Sequence, residues 1–271
     1  NELFLERMKE MLKDEYPAYL KKLNDPARKG LRINTLKITP DDFFAYTNYE
    51  LEKSPFAKNG YYANLKSGVG FTPEHMAGFF YIQEPSASSA VTILDPKPGM
   101  KILDMCAAPG SKSTQISEML EQEGLLVANE IHPTRARVLL ENIERCGSAN
   151  TIVLNNDPQD ISKAFPEFFD MVLCDAPCSG EGMFRKEDQA VEQWSLENVQ
   201  ACAVRQATIL NEAYKCLKPG GTMVYSTCTF AMEENEKCML KFVQEHPDMH
   251  LVPIEVNFGR KAFDLGSHTD Y

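Results

Sequence analysis

The sequence predicts an α/β protein in which a doubly wound, mainly parallel sheet follows a small N-terminal α+β domain. From about residue 80 onward, short apolar segments typical of strands alternate with segments of helical periodicity. The first 75 or so residues instead combine amphipathic helical patterns with a stretch rich in Gly, Pro, Asn and Tyr. We therefore expect two domains, residues 1–76 and residues 77–271.

The predicted N-terminal domain begins with two helical patterns, at residues 2–14 and 16–23, which lead to a short apolar strand at Leu31–Leu36. An acidic start at Asp41 suits a further helix, because negative side chains are favourable at a helix N-terminus. The segment Ser54–Gly70 has the composition of hairpins or loops.

The predicted second domain consists of alternating strands and helices. Its strand candidates are Lys101–Met105, Leu125–Asn129, Ile152–Asn155, Met171–Asp175 and Thr222–Thr227. Its helix candidates are Ser113–Leu120, Pro133–Cys146 and Leu196–Leu217. Pro133 in a first helical turn, and Lys218–Gly221 after the longest helix, indicate element boundaries. This alternation is typical of a parallel sheet with helices on both faces.

The bulk composition is that of a globular protein, with 43% hydrophobic and 25% charged residues. No apolar run is long enough to predict a membrane span, and the charged N-terminal helix does not resemble a signal peptide. None of the eight cysteines forms a C-x-x-C pair or stands at zinc spacing from a histidine. We expect a soluble cytoplasmic protein with reduced thiols and no metal, with a monomer favoured.

The net charge of -11 argues against a nucleic-acid partner, because binding to a phosphate backbone gains from basic surface. The charge is unevenly distributed, however. Residues 1–39 carry nine Lys and Arg against six Asp and Glu, a net +3 that leaves -14 for the remainder. A basic N-terminal face on an acidic body is compatible with this pattern.

A strand followed by a tight turn of small residues predicts a ligand site, as at the first crossover of a Rossmann-like sheet. The strand Lys101–Met105 runs into such a turn and then into a helix, without a G-x-G-x-x-G motif. Ala107, Ala108 and Gly110 allow close approach of the backbone to a ligand, and a helix N-terminus favours a carboxylate. S-adenosylmethionine offers a carboxylate and no phosphate.

Two acids follow the next two predicted strands. Glu130 ends the second strand, twenty residues after Gly110, a distance typical of an acid that binds ribose hydroxyls. Asp157 follows the third strand and could bind the adenine amine. Each acid alone would suit a solvated loop, but their positions at successive strand ends favour a nucleoside site.

Two cysteines also follow strand ends, Cys178 after Asp175 and Pro177, and Cys228 after Thr227. A thiolate that adds to the 6-carbon of cytosine makes the 5-carbon nucleophilic enough to attack a sulfonium methyl group. A carboxyl group such as that of Asp175 can neutralise charge at the ring 3-nitrogen. We interpret Cys146, Cys202, Cys216 and Cys238 as inert buried residues.

Four segments in order, LRINTLK (31–37), DMCAAPGSKS (104–113), DAPCSGEGMFRK (175–186) and YSTCTF (225–230), resemble the Nop/Sun RNA cytosine-5 methyltransferases. Within that family, the likeness is to the bacterial enzymes acting on small-subunit ribosomal RNA. The resemblance covers nearly the whole chain and implies the class I fold of S-adenosylmethionine-dependent methyltransferases. It implies an RNA partner, 16S ribosomal RNA or the small ribosomal subunit, and an N-terminal domain that binds RNA.

The resemblance also implies roles for individual residues. Cys228 would be the nucleophile, Cys178 would assist release of the methylated RNA, and Lys112 would help to orient the cytosine. Arg185 and Lys186 could contact phosphates. The implied S-adenosylmethionine contacts are Cys106, Ala107, Ala108, Pro109, Gly110, Ser111, Lys112, Glu130, Asp157 and Asp175. Relatives of this subgroup continue into a C-terminal RNA-binding module, so a chain that ends at Tyr271 and starts without Met is expected to be a fragment.

Three other functions remain open from the residues. A DNA cytosine-5 methyltransferase would use Cys178 as its nucleophile, because there the Pro-Cys loop supplies it. An exocyclic amino methyltransferase would need an aromatic residue after the Pro of the Asp175 loop, and Cys178 stands there. A ribosome-assembly or RNA-binding factor could retain the fold with little turnover.

Overall fold

A computed structural model describes residues 1–263 of the chain. Two helices begin it, α1 (Glu2–Leu12) and α2 (Tyr16–Leu23), joined by one 3-10 turn. Asn1 caps α1 by accepting a hydrogen bond from the Phe4 amide. Phe4 and Met8 line the apolar side of α1 and pack against Trp194 from the second half of the chain. The N-terminal helices are thereby attached to the second half of the chain.

The first sheet is antiparallel, with the strand order β2-β3-β1-β4. Its strands are β1 (Gly30–Ile33), β2 (Leu51–Lys53), β3 (Gly60–Ala63) and β4 (Phe80–Ile82). Two short helices, α3 (Pro40–Tyr46) and α4 (Pro73–Met76), lie in its connections. The division after residue 76 stays a prediction, although pairing of β4 with β1 places Phe80–Ile82 in the first sheet.

The second sheet has five strands, all parallel to their neighbours, in the order β7-β6-β5-β8-β9. Its strands are β5 (Lys101–Asp104), β6 (Leu125–Asn129), β7 (Thr151–Leu154), β8 (Phe169–Asp175) and β9 (Leu217–Ser226). The helices around it are α5 (Ser89–Leu94), α6 (Ser111–Met119), α7 (Pro133–Cys146), α8 (Pro158–Ala164), α9 (Asp188–Gln193), α10 (Leu196–Cys216) and α11 (Glu236–Glu245). The predicted doubly wound α/β fold is confirmed.

Helices cover both faces of the second sheet because neighbouring strand residues point to opposite sides. Leu103 and Val172 pack against α10 and α11 on one face. Ile102 and Leu173 pack against α5 and α6 on the other. The strand order reverses between β5 and β8, and ligands of such sheets bind at the carboxyl ends of the strands at this point. Among the described residues, no helix combines the length and apolarity needed to cross a bilayer.

The sequence analysis expected the segment Lys218–Gly221 to separate a helix from a strand. The structure does not confirm this boundary. α10 ends at Cys216 and β9 begins at once, so these four residues lie inside the strand. The register of β8 against β9 shifts between Phe169 and Met171, which accommodates the extra residues as a bulge. A side chain at Gly221 would approach the carbonyl oxygen of Asp170 to 2.9 Å, so glycine is needed there.

Candidate active site

The turn after β5 is fixed to the two strands that flank it. The Met105 amide donates to the Leu173 carbonyl (2.9 Å) and the Ala107 amide to the Asn129 carbonyl (2.8 Å). Gly110 has a φ of 110°, a conformation that favours glycine. The turn therefore lies at the switch point, where α6 begins with amide groups that have no acceptor within the helix.

The two predicted nucleoside acids lie at the ends of β6 and β7. Glu130 is buried, and its side chain accepts from the His132 amide (2.9 Å) and pairs with Arg135 (3.3 Å). Asp157 is exposed and caps α8 by accepting from the Gln159 amide (2.9 Å). Glu130 follows β6, which pairs with β5, and Asp157 follows β7, the next strand outward. Their contacts with a nucleoside stay predictions.

Asp104, at the end of β5, was not singled out by the sequence analysis. It is fully buried, and one carboxyl oxygen accepts from the Ser113 hydroxyl at 2.7 Å. Its other oxygen has no hydrogen-bond partner among the described residues. Burial raises the pKa of Asp104 to about 7. An acid that ends an apolar strand before the small-residue turn was the available signal for this residue.

We expect Asp104→Asn to stabilise the protein near pH 8 and to leave its stability near pH 4 unchanged. The folded-state pKa lies above the ordinary value, so the contribution of Asp104 to stability is complete below about pH 4 and is lost as the pH rises through about 7. Asparagine stays neutral and can still accept from Ser113. Thermal unfolding at several pH values should show a gain of roughly 2–4 kcal/mol near pH 8.

The exposed Asp160→Asn should leave the pH profile of unfolding as it is in the parent protein. If Asp104→Asn instead retained the parent's loss of stability between about pH 4 and 8, burial of this carboxyl would not be its cause.

The two cysteine loops come together because β8 and β9 are paired and end at the same edge. Asp175 lies opposite Ser226 in the register of the two strands. Beyond them, the sulfur atoms of Cys178 and Cys228 are 3.2 Å apart, and Cys228 is exposed. The Gly182 amide donates to the Cys228 carbonyl (2.8 Å). A side chain at Gly182 would approach that oxygen to 2.7 Å, so the close packing of the loops requires glycine.

The two thiols differ in their tendency to ionise. The hydrogen bond with Cys178 lowers the pKa of Cys228, and nearby Lys112 acts in the same direction, whereas burial and Asp175 oppose the change. The same hydrogen bond raises the pKa of Cys178, and burial raises it further. Of the two thiols, Cys228 is therefore the one favoured to ionise, with Cys178 as its hydrogen-bond partner.

Lys112 connects the β5 turn to the cysteine loops. Its ammonium group lies 2.7 Å from one carboxylate oxygen of Asp175, and the Ser226 hydroxyl donates to the other oxygen at 2.7 Å. The structure thus brings Lys112, Asp175, Cys178 and Cys228, all predicted from sequence, to one edge of the sheet. This arrangement offers two thiols, one of them favoured to ionise, and an ammonium–carboxylate pair at the same edge.

The other residues singled out from the sequence are either buried or bonded to other parts of the protein. Cys146, Cys202, Cys216 and Cys238 are buried. Lys186 pairs with Glu84, and Arg185 donates to the Lys22 carbonyl (3.2 Å), so both join the Cys178 loop to earlier parts of the chain. Their contact with phosphates stays a prediction. Within residues 1–263, no cluster of His, Cys, Asp and Glu is arranged to hold a metal ion.

Two family models match the sequence. Residues 91–269 match the family described as 16S rRNA methyltransferase RsmB/F, and residues 1–85 match the N-terminal domain of 16S rRNA methyltransferase RsmF.

Similar curated proteins include the ribosomal RNA small subunit methyltransferase F of Erwinia tasmaniensis, with 38% identity over 94% of this chain and 56% of that protein. The protein of the same name from Escherichia coli K12 is 40% identical over 90% of this chain and 53% of its own length. The chain spans about half the length of these curated relatives.

Two similar solved structures come from Pyrococcus horikoshii. A methyltransferase homolog protein is 30% identical, with a TM-score of 0.85 over 97% of this chain and 84% of that one. The structure of NSun6 with SFG has a TM-score of 0.83 over 95% of this chain and 90% of that one. Its identity is 22%, so it is informative about the fold alone.

Proposed function

This chain belongs to the 16S rRNA methyltransferase RsmB/F family, and we propose that it forms 5-methylcytosine in RNA with S-adenosylmethionine as methyl donor. We propose small-subunit ribosomal RNA as the substrate, because the relatives are named for it. The observation that carries the proposal is the pair of thiols beside the β5 turn, one of which is favoured as a thiolate.

In this proposal the Cys228 thiolate adds to the 6-carbon of the target cytosine, forming a carbon–sulfur bond and moving electron density to the 5-carbon. The exposure of Cys228 supports access for a base that has left its stack, a movement that costs on the order of a few kcal/mol. After methylation a base takes the proton from the 5-carbon, the ring double bond re-forms, the carbon–sulfur bond breaks and the Cys228 thiolate leaves.

The Lys112–Asp175 pair would face the polar edge of the pyrimidine. Negative charge develops at the ring 3-nitrogen when the thiolate adds, and the Lys112 ammonium, held by Asp175, can neutralise it with a hydrogen bond or a proton. Ser226 holds Asp175 from the side of β9, so the pair is already oriented before RNA binds. Lys112 would orient the cytosine, and Asp175 would contact the ring.

Cys178 would act on the same sulfur atom. Its sulfur lies 3.2 Å from that of Cys228, and this contact lowers the pKa of Cys228, which supports a role in ionising the nucleophile. The same contact supports assistance in release, because a donor at 3.2 Å can stabilise the thiolate that leaves the methylated base.

The residues around the β5 turn fit S-adenosylmethionine. The open amide groups at the start of α6 suit a carboxylate, the buried Glu130 suits ribose hydroxyls, and the unpartnered oxygen of Asp104 suits a polar hydrogen. Cys106 to Lys112 and Asp157 would complete the site. The bound cofactor supplies an electrophilic methyl carbon on its sulfonium.

We propose that the N-terminal part, residues 1–76, binds RNA and that residues 77–271 catalyse the reaction. Of the nine basic residues among positions 1–39, seven are exposed: Lys9, Lys13, Lys21, Lys22, Arg28, Lys29 and Lys37. Arg32 is buried and does not belong to this surface, and Arg7 is paired with Glu233. The basic face is thus smaller than the sequence count suggests.

We expect the chain to transfer label from methyl-labelled S-adenosylmethionine to 16S ribosomal RNA, and the labelled nucleoside to be 5-methylcytidine. Nuclease digestion and chromatography identify the product. DNA of the same sequence serves as the control substrate and should remain unlabelled. N4-methylcytidine as the product would indicate amino methylation instead, labelled DNA would indicate the Cys178 mechanism, and binding of RNA without label would favour an assembly factor.

A further inference from the structure

Two consecutive residues, Glu234 and Asn235, lie between the Cys228 loop and α11. Glu234 is completely buried and Asn235 is half-buried. Neither residue was singled out by the sequence analysis. Each makes its side-chain hydrogen bonds with one of the two cysteine loops.

Glu234 binds the loop that carries Cys178. One of its oxygens accepts from the Ser179 amide at 3.0 Å, and the other accepts from the Ser179 hydroxyl. The buried Gln206 of α10 donates both to Glu234 (2.8 Å) and to the Pro177 carbonyl (3.0 Å). The residues before and after Cys178, Pro177 and Ser179, are therefore both fixed by hydrogen bonds.

Asn235 binds the loop that carries Cys228. Its amide nitrogen donates to the carbonyls of Thr229 (3.1 Å) and Ala231 (3.0 Å). Its oxygen accepts from the Thr227 hydroxyl at 2.7 Å. Both chain neighbours of Cys228 are thereby held as well, in the same way as those of Cys178.

The bonds of Glu234 come at an energetic cost, because a carboxylate removed from water loses its hydration. Among the described residues no Lys, Arg or His forms an ion pair with it, so its partners are an amide, a hydroxyl and a side-chain amide. Buried side chains whose hydrogen bonds are made rigidify the segments that they join. The segments in this case are the two loops, which a hydroxyl contact between Ser179 and Thr229 (2.9 Å) also joins.

We propose that Glu234 and Asn235 are positioning residues that hold the thiols of Cys178 and Cys228 in contact. The inference rests on the proposed role of Cys228 as nucleophile. Because the two residues are adjacent in the chain, a shift of one loop is transmitted to the other through a single peptide unit. Neither residue touches a reacting atom.

The pKa of Cys228 depends on its contact with Cys178, so a change in that pKa indicates that the contact has been lost. The titratable groups that face its sulfur are Cys178, Lys112 and Asp175. Lys112 and Asp175 are held by each other and by Ser226, independently of Glu234. Displacement of the Cys178 loop should therefore remove one donor from Cys228 and raise its pKa, while the other two groups stay in place.

The test is Glu234→Gln, compared with Glu233→Gln as a matched control. Glu233 precedes Glu234 in the chain, but its side chain pairs with Arg7 and Lys237 and does not contact the cysteine loops. Alkylation of Cys228 by iodoacetamide is followed as a function of pH by mass spectrometry of its peptide. We expect the midpoint to rise by on the order of one pH unit in Glu234→Gln and to stay unchanged in Glu233→Gln.

A double-mutant cycle separates positioning from a general loss of structure. Cys178→Ala should raise the midpoint by itself, and adding Glu234→Gln should raise it no further, because both changes remove the same donor. An unchanged midpoint in folded Glu234→Gln, or two shifts that add, would overturn the proposal.

If Glu234→Gln does not fold, Asn235→Ala provides the test, because alanine removes the hydrogen bonds to Thr227, Thr229 and Ala231 without adding a charge near Cys228. An unchanged midpoint in that variant also overturns the proposal. The assay contains neither RNA nor cofactor, so its outcome is independent of whether the proposed methylation occurs.

Discussion

Cys228→Ala should form no covalent adduct with RNA and should transfer no methyl group, whereas Cys178→Ala should accumulate the adduct. Without the thiolate, the 5-carbon of cytosine is too weak a nucleophile, and we expect a loss of roughly 10⁴-fold or more, or about 5 kcal/mol of transition-state stabilisation. In Cys178→Ala the thiolate loses its donor, so addition slows, but release slows more. A denaturing gel of enzyme, RNA and S-adenosylmethionine shows the adduct as a band of reduced mobility.

Cys202→Ala is a matched control, because Cys202 is buried in α10 and makes one weak contact with Asn198. It should behave as the parent protein does. An adduct that accumulates in Cys228→Ala and is missing in Cys178→Ala would assign the nucleophile to the Pro-Cys loop and contradict the proposed division of roles.

Arg32→Met should destabilise the protein by about 3–5 kcal/mol, the cost typical of removing one partner from a buried ion pair. Arg32 is 2% exposed, and its guanidinium joins β1 to α6 through Glu118 (3.0 Å), the Ser111 carbonyl (2.9 Å) and the Thr114 hydroxyl (2.9 Å). Methionine leaves the Glu118 carboxylate buried without its cation. Unfolding in urea measures the change.

Arg28→Met provides the comparison, because Arg28 is exposed and its pair with Glu52 is worth at most about 1 kcal/mol. The double variant Arg32→Met with Glu118→Met should recover part of the loss, since both charges are then removed. A similar small effect for Arg32→Met and Arg28→Met would mean that the buried pair contributes no more than a surface contact.

Much of the second sheet could be predicted because its signals are local. The strand Leu125–Asn129 and the helix Pro133–Cys146 have the predicted ends, the helix being bounded by Pro133 and by Gly147 with a φ of 75°. The cysteine loops could be placed because they directly follow strands whose carboxyl ends share one edge. These features depend on residues that are close together in the sequence, and for that reason they could be predicted.

What the sequence analysis missed depends on contacts between distant residues. Arg32 was counted as surface charge because its partner, Glu118, lies 86 positions away in the sequence and could not be identified from the neighbouring residues. The six-residue helix α5 is short and apolar, and such a run has no periodicity that distinguishes it from a strand. Glu234 lies in an acidic stretch of sequence that is typical of an exposed segment. It is buried because it binds the Ser179 loop, 55 positions earlier in the chain. Periodicity carries no information about such pairings.

The reversal of strand order also divides the proposed reaction between two halves of one sheet. Apart from Lys112 and Asp175, methyl-donor contacts would come from the β5–β7 half, and contacts with the accepting base from the β8–β9 half. Base preference can therefore diverge among relatives by changes in one half while cofactor uptake is preserved in the other. The Lys112–Asp175 pair crosses this division, so we expect substitutions at these two positions to be correlated in evolution.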